Sequence, residues 1–214
     1  VTDEELHLIA SWEDGPLYLG TLPLSRLQYP AEHDAANCDD RNCENGCTIG
    51  YGYNFGAHSV EKVLTDLTPI VGAERARGFT IYAEKTGTAA VALCGSAIPV
   101  ATRPTMSRDE SWALLRVMVR EHKDNVLARA EAEGLMDSLN AGQFAVLVAL
   151  DYQNPVLSSE AVYLWRAIHD EDWREVYRII RYRSGSQFLS ALSTRRKHEA
   201  DYFRWASNRG RLET

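Results

Sequence analysis

Apolar residues recur along most of this chain at intervals of three and four, the spacing of one helix face. Thr2 and Glu5 form a capping-box pair, and Leu6, Ile9 and Ala10 follow at helical steps. That helix is predicted to stop near Asp14-Gly15-Pro16, because proline restrains its predecessor and glycine ends helices. Ser59 is placed to cap a helix from Val60 to Leu67, and a second helix is predicted from Ala73 to about Glu84. Ser107 with Glu110 is a further capping box, opening a helix to about Glu133 with Trp112, Leu115, Val119 and Val126 in step. A helix of about 26 residues spans roughly 40 Å, enough to link two lobes. Gly134 ends it. Asn140 caps the run from Gln143 to Tyr152, whose unbroken apolarity predicts burial on most sides, and Asn154-Pro155 stops it. Amphipathic helices follow at about 158–169 and 171–182. A closing helix at about 190–206 carries Arg195, Arg196 and Glu199, then Tyr202, Phe203 and Trp205.

Extended structure is confined to the first part of the chain. The stretch Cys47-Thr48-Ile49-Gly50-Tyr51-Gly52-Tyr53-Asn54-Phe55-Gly56 mixes strand formers with glycines, and predicts a hairpin with glycine bends. Tyr51 and Tyr53 offer flat rings with a hydroxyl tip, suited to stacking on a sugar or a peptide. Residues 16–47 read as irregular, with three prolines and a loop rich in Cys, Asp and Asn. A connection of that length is usually functional or disordered. Residues 86–105 read as a second loop, rich in small residues and closed by Arg103-Pro104. The fold class expected is α+β, mostly α-helical.

Composition narrows the function classes. The chain has 214 residues, room for one large domain or two small lobes. A net charge of −7 argues against nucleic acid as a partner. No run of about 18 apolar residues exists to span a membrane. The chain begins at Val1 with no signal-like segment, so we expect an excised domain, the C-terminal part of a longer protein. Cys38, Cys43 and Cys47 lie close together and Cys94 far off, in no CxxC zinc pattern. Two disulfides in an exported protein are the leading expectation, ahead of free thiols and a metal site. The acidic loop Asp34–Glu44 lacks the EF-hand spacing, and no metal or cofactor is expected.

Candidate chemistry begins at Glu13. It sits at the predicted C-terminal end of the first helix, beside Trp12. The negative pole of the helix dipole and a desolvating indole both favour a protonated carboxyl, the form a general acid needs.

Four features, in order, resemble the phage-type lysozyme family, and its pesticin-like branch in bacteriocins and antibacterial effectors above all. They are Leu8-Ile9-Ala10-Ser11-Trp12-Glu13; Leu27-Gln28-Tyr29-Pro30 with the Thr48–Gly56 stretch beyond it; the run Gln143-Phe144-Ala145-Val146-Leu147-Val148-Ala149-Leu150; and the closing helix with Arg195-Arg196 and Glu199. The resemblance implies a lysozyme-like two-lobed fold, with a small hairpin lobe at about 14–105 and a helical lobe at about 1–13 and 106–214, joined by the long helix. It implies hydrolysis of the β-1,4 bond between N-acetylmuramic acid and N-acetylglucosamine. By motif position Glu13 is the general acid, Thr48 holds the attacking water, and Asn54 stands where that branch carries an aspartate. Glu32 is the alternative acid, but Pro30 opposes a helix before it. Asparagine cannot take a proton from water, so Asp39 or Asp40 is the alternative base, with Asp34 and Glu44 also near. Tyr51 and Tyr53 are the expected substrate-binding residues, ahead of Gln153 and Asn154. Arg195 and Arg196 are expected to pin the closing helix by ion pairs, and Trp112 and Met118 to be core. Expected partners are bacterial peptidoglycan and an immunity protein. The expected working form is an exported monomer acting in the periplasm or wall of target bacteria.

Overall fold

The computed structural model describes residues 6, 7, 9–11, 46–95, 99, 102–153, 162–182 and 190–209. Among these residues the chain is mostly helical with one small antiparallel sheet, an α+β protein weighted to α. It divides into two compact units, Glu13–Met118 and Val1–Trp12 with Val119–Thr214. The division after Met118 falls inside the long helix that begins at Arg108.

The Glu13–Met118 unit is built on a hairpin. Strand β1 (Thr48–Ile49) pairs antiparallel with β2 (Tyr53–Asn54), Thr48 opposite Asn54 and Ile49 opposite Tyr53. Gly50 at φ 61° and Gly52 at φ 97° turn the chain, a conformation that costs glycine least. Because side chains alternate across a pleat, Ile49 and Tyr53 share the buried face, while Thr48 and Asn54 share the half-buried one.

A short 3₁₀ turn (Phe55–Ala57) leads to helix α1 (Val60–Val71). Ser59 caps α1 as expected, its Oγ accepting the Lys62 amide at 3.2 Å. The helix runs past the predicted end at Leu67 and through Pro69, stopping at Gly72, whose φ is 81°. A proline so near the end removes only one late amide from the ladder. Helix α2 (Ala73–Phe79) follows, then a 3₁₀ turn (Thr80–Tyr82) in place of further α-helix. Phe55, Phe79 and Tyr82 cluster, the Phe55 and Phe79 rings stacked with centroids 5.5 Å apart.

The segment expected to be loop after Thr86 contains helix α3 (Gly87–Cys94). Its Ala-rich composition favours helix, but no side-chain cap and no amphipathic stripe announced it. Ala90 and Cys94, one turn apart, are both fully buried. Cys94 is joined to Cys47 by a disulfide across 47 residues of sequence, with Cα atoms 6.1 Å apart. That is one of the two bridges expected; Cys38 and Cys43 lie outside the described residues.

Helix α4 (Arg108–Ala132) begins with the expected capping box. The Glu110 amide donates to Ser107 Oγ at 3.1 Å, and the Ser107 amide donates to Glu110 Oε2 at 2.7 Å. Arg75 reaches from α2 to the same carboxylate, and its NH2 also donates to the Thr105 carbonyl at 2.9 Å. Gly134, at φ 70°, ends α4 with a Leu135 amide bond to the Ala130 carbonyl.

The other unit holds the remainder of α4 and helices α5 (Ala141–Gln153), α6 (Val162–His169), α7 (Trp173–Tyr182) and α8 (Ser190–Arg209). Asn140 and Gln143 cap α5 reciprocally: the Gln143 amide donates to Asn140 Oδ1 at 3.0 Å, and the Asn140 amide to Gln143 Oε1 at 2.9 Å. Ala145 through Leu150 are all buried, as the unbroken apolar run requires. Asp151 ends that run, 1% exposed, paired with His122 Nδ1 at 2.9 Å.

Helix α8 carries a buried ion cluster on its core side. Glu199, fully buried, accepts from Arg195 Nε at 2.7 Å and from Arg196 NH1, and Arg195 NH2 reaches the Ala149 carbonyl at 3.4 Å. The expected ion pairs form, but both lie within α8; Arg195 also reaches α5, through the Ala149 carbonyl. Met118 is core, 8% exposed, whereas Trp112 is only half-buried.

Candidate active site

The candidate site is the face of the hairpin that carries Thr48 and Asn54. The Phe55 amide donates to the Cys47 carbonyl at 3.0 Å. This makes Thr48 and Asn54 a non-hydrogen-bonded pair, the kind in which opposite Cα atoms approach to about 4.5 Å. Their side chains therefore stand side by side on one face.

Asn54 has a specific structural task. Its Oδ1 accepts the Gly46 amide at 3.1 Å and the Gly56 amide at 3.0 Å, tying the strand entering the hairpin to the turn leaving it. The two glycine backbones nearly touch. A Cβ on Gly46 would stand 2.4 Å from the Gly56 nitrogen, and one on Gly56 would stand 2.8 Å from Gly46 Cα. Gly46 also bridges to Thr86, just before α3. The disulfide at Cys47 lies next to Thr48 in sequence. Thr48 is thus held through the ladder bonds of its neighbours Cys47 and Ile49, through Asn54 and through the disulfide at Cys47.

The hairpin tip is seated on α4. The Tyr51 and Trp112 rings have centroids 5.1 Å apart, and a Cβ on Gly50 would lie 3.5 Å from Ser111. This corrects the expectation that Tyr51 and Tyr53 stack on substrate: they are 1% and 0% exposed. The Tyr53 ring lies against Phe55 and His58, and its hydroxyl donates to Asp66 Oδ2 at 3.0 Å. Lys62 Nζ donates to the other Asp66 oxygen at 2.9 Å. The pleat puts Tyr53 on the core side, and the two glycine bends turn Tyr51 inward.

Glu13, Glu32, Asp34, Asp39, Asp40, Glu44 and Asn154 lie outside the described residues, as does the Gln153 side chain. The structure thus brings Thr48 and Asn54 together. It adds residues that sequence reasoning missed: Gly46 and Gly56 as the partners of Asn54, and Asp66 beneath Tyr53. Only Asp66 carried a signal, as an acid one turn after Lys62 on a helix face otherwise marked by Val63 and Leu67.

Titration is altered beside the site, at the start of α4. The hydrogen bond from Arg75 holds the Glu110 carboxyl below the usual carboxylate range, and the same bond raises Arg75. Burial pushes the Tyr82 hydroxyl up. Among the described residues, no group of three or more His, Cys, Asp and Glu side chains could hold a metal, and no helix is long and apolar enough to cross a membrane. No family model and no curated protein matches the chain.

Proposed function

We propose that this chain is a peptidoglycan hydrolase, a muramidase of lysozyme-like two-lobed architecture that cleaves the β-1,4 bond between N-acetylmuramic acid and N-acetylglucosamine. The observation that carries the reading is the pairing of Thr48 with Asn54 on one hairpin face. These are the two positions the sequence motif assigns to the water. Hydrolysis of a glycoside needs a proton delivered to the leaving oxygen and a water activated opposite it. A threonine hydroxyl can orient that water. Glu13 is the proposed acid, with Glu32 the alternative. The setting proposed is antibacterial: an effector or bacteriocin domain, exported, acting on the wall of a competing cell and countered there by an immunity protein.

The test is release of reducing ends from purified peptidoglycan by the wild-type chain and by Glu13→Gln, Glu32→Gln and Thr48→Ala. Removing a general acid lowers the rate about 10²–10⁴-fold. Undiminished release by Glu13→Gln and Glu32→Gln alike would reject the assignment of the acid. Product masses separate hydrolysis from a lytic transglycosylase, which leaves an anhydro ring without adding water.

One observation favours a second reading, a peptidoglycan-binding module with weak or lost catalysis. Asn54 carries no carboxylate, and its oxygen already accepts two amides. Sedimentation with sacculi and no new reducing ends would support that reading.

A further inference from the structure

Helices α6 and α7 both bury one face and leave aromatic rings on the other. Leu164, Trp165, Ile168, Val176 and Ile180 are core, yet Tyr163 is 65% exposed and Tyr182 is 68% exposed. Both rings line one cavity of about 360 Å³, with Glu175, Arg178 and Ile179. A second cavity of about 360 Å³ shares Glu175, Arg178 and Tyr182 and reaches Asp172, just before α7. From Asp172 to Tyr182 the helix rises about 15 Å. The two hollows lie alongside each other on the shared Glu175–Arg178–Tyr182 stripe of that helix, open to solvent.

The chemistry between the rings is polar. Arg178 Nε donates to Glu175 Oε2 and NH2 to Oε1, each at 2.6 Å. This bidentate pair sets the plane of the guanidinium and uses two of its five N–H donors. Ile179, 7% exposed, is an apolar spot in the same hollow.

We propose that the Tyr163–Tyr182 groove binds a chain of N-acetylated hexosamines, as an anchoring site additional to the residues that cleave. Exposed tyrosine rings offer flat faces to the C–H faces of sugars. Arg178 donates to acetamido carbonyls, Glu175 accepts from sugar hydroxyls, and Ile179 receives the acetamido methyl. A protein partner would need a patch of about 800 Å² on each side; two small hollows, one lined by Tyr163 and Tyr182 and the other by Tyr177 and Tyr182, fit a polymer of small rings instead. The identity of the polymer rests on the muramidase reading, while the chemistry of the groove does not.

The experiment uses the whole chain and a β-1,4-linked N-acetylglucosamine tetramer as probe. Titration is expected to give saturable shifts in the Tyr163 and Tyr182 ring resonances. The variant Tyr163→Ala/Tyr182→Ala, altered only at exposed positions, is expected to lose them. That variant should also sediment with purified sacculi about tenfold more weakly, the scale of two ring contacts. Absence of saturable shifts, or equal sedimentation of variant and wild type, overturns the proposal. Weakened sedimentation with no reducing ends from the wild type would keep the groove and reject the muramidase reading. Reducing ends from the wild type, with variant and wild type sedimenting alike, would do the reverse.

Discussion

Asn54 holds Gly46 across the base of the hairpin, its side-chain oxygen 3.1 Å from the Gly46 amide, and with the same oxygen it accepts the amide of Gly56. An acceptor at position 54 is therefore part of the fold before it is part of any chemistry. Asn54→Ala strands two partly buried amides and should cost about 1–3 kcal/mol. Asn54→Asp keeps an oxygen for both amides and adds one that can take a proton from water. We expect it to fold like the wild type and to release reducing ends faster. Denaturant melts with peptidoglycan assays check both, and Asn54→Asp activity at or below wild type would remove residue 54 from the search for the base.

The disulfide between Cys47 and Cys94 closes a loop holding the hairpin, α1, α2 and α3. Chain-entropy estimates give about 4 kcal/mol for a loop of that length. Cys47→Ala/Cys94→Ala should lower stability on that scale. The loss should fall first on the hairpin carrying Thr48, seen as faster amide exchange at Ile49 and Phe55 than in the α5 core.

Glu110 makes the start of α4 sensitive to acid. Its carboxyl titrates below the ordinary value in the folded chain, chiefly through the Arg75 hydrogen bond. A depressed folded value means the stabilisation is full above the unfolded value of about 4.3 and is lost as pH falls through the folded one. Glu110→Gln keeps the capping geometry without the charge, so its stability relative to wild type should be lower at pH 7 by up to about 1 kcal/mol. The gap should close in acid, and equal gaps at pH 7 and pH 3 would contradict this.

Glu199 is buried between Arg195 and Arg196. Removing one partner leaves buried charge uncompensated, at about 3–5 kcal/mol. Glu199→Ala should therefore destabilise the chain by that order in denaturant melts, while an exposed pair such as Arg204 with Asp201 should contribute at most about 1 kcal/mol.

Much of the fold was legible along the chain because its signals are local. Capping residues speak for amides two or three positions away, so Ser59, Ser107 with Glu110, and Asn140 marked helix starts correctly. Gly134 marked an end for the same reason. The unbroken apolar run of α5 could only be buried, and Arg195, Arg196 and Glu199, within one turn, could only meet one another. The short helix α3 escaped, since neither a cap nor a stripe announces it and its neighbours Cys47 and Gly46 lie some forty residues earlier.

By itself the sequence determined a mostly helical chain with one glycine-bent hairpin, and within that hairpin it put Thr48 and Asn54 in reach of each other. Tertiary structure alone decided which hairpin face is inside, and so made Tyr51 and Tyr53 core rather than surface. It also chose Cys94 for Cys47 and gave the Asn54 oxygen to two glycine amides. The reason is range. Caps, turns and periodicity are set by residues a few bonds apart, whereas burial and partnership depend on which distant segments fill the same space.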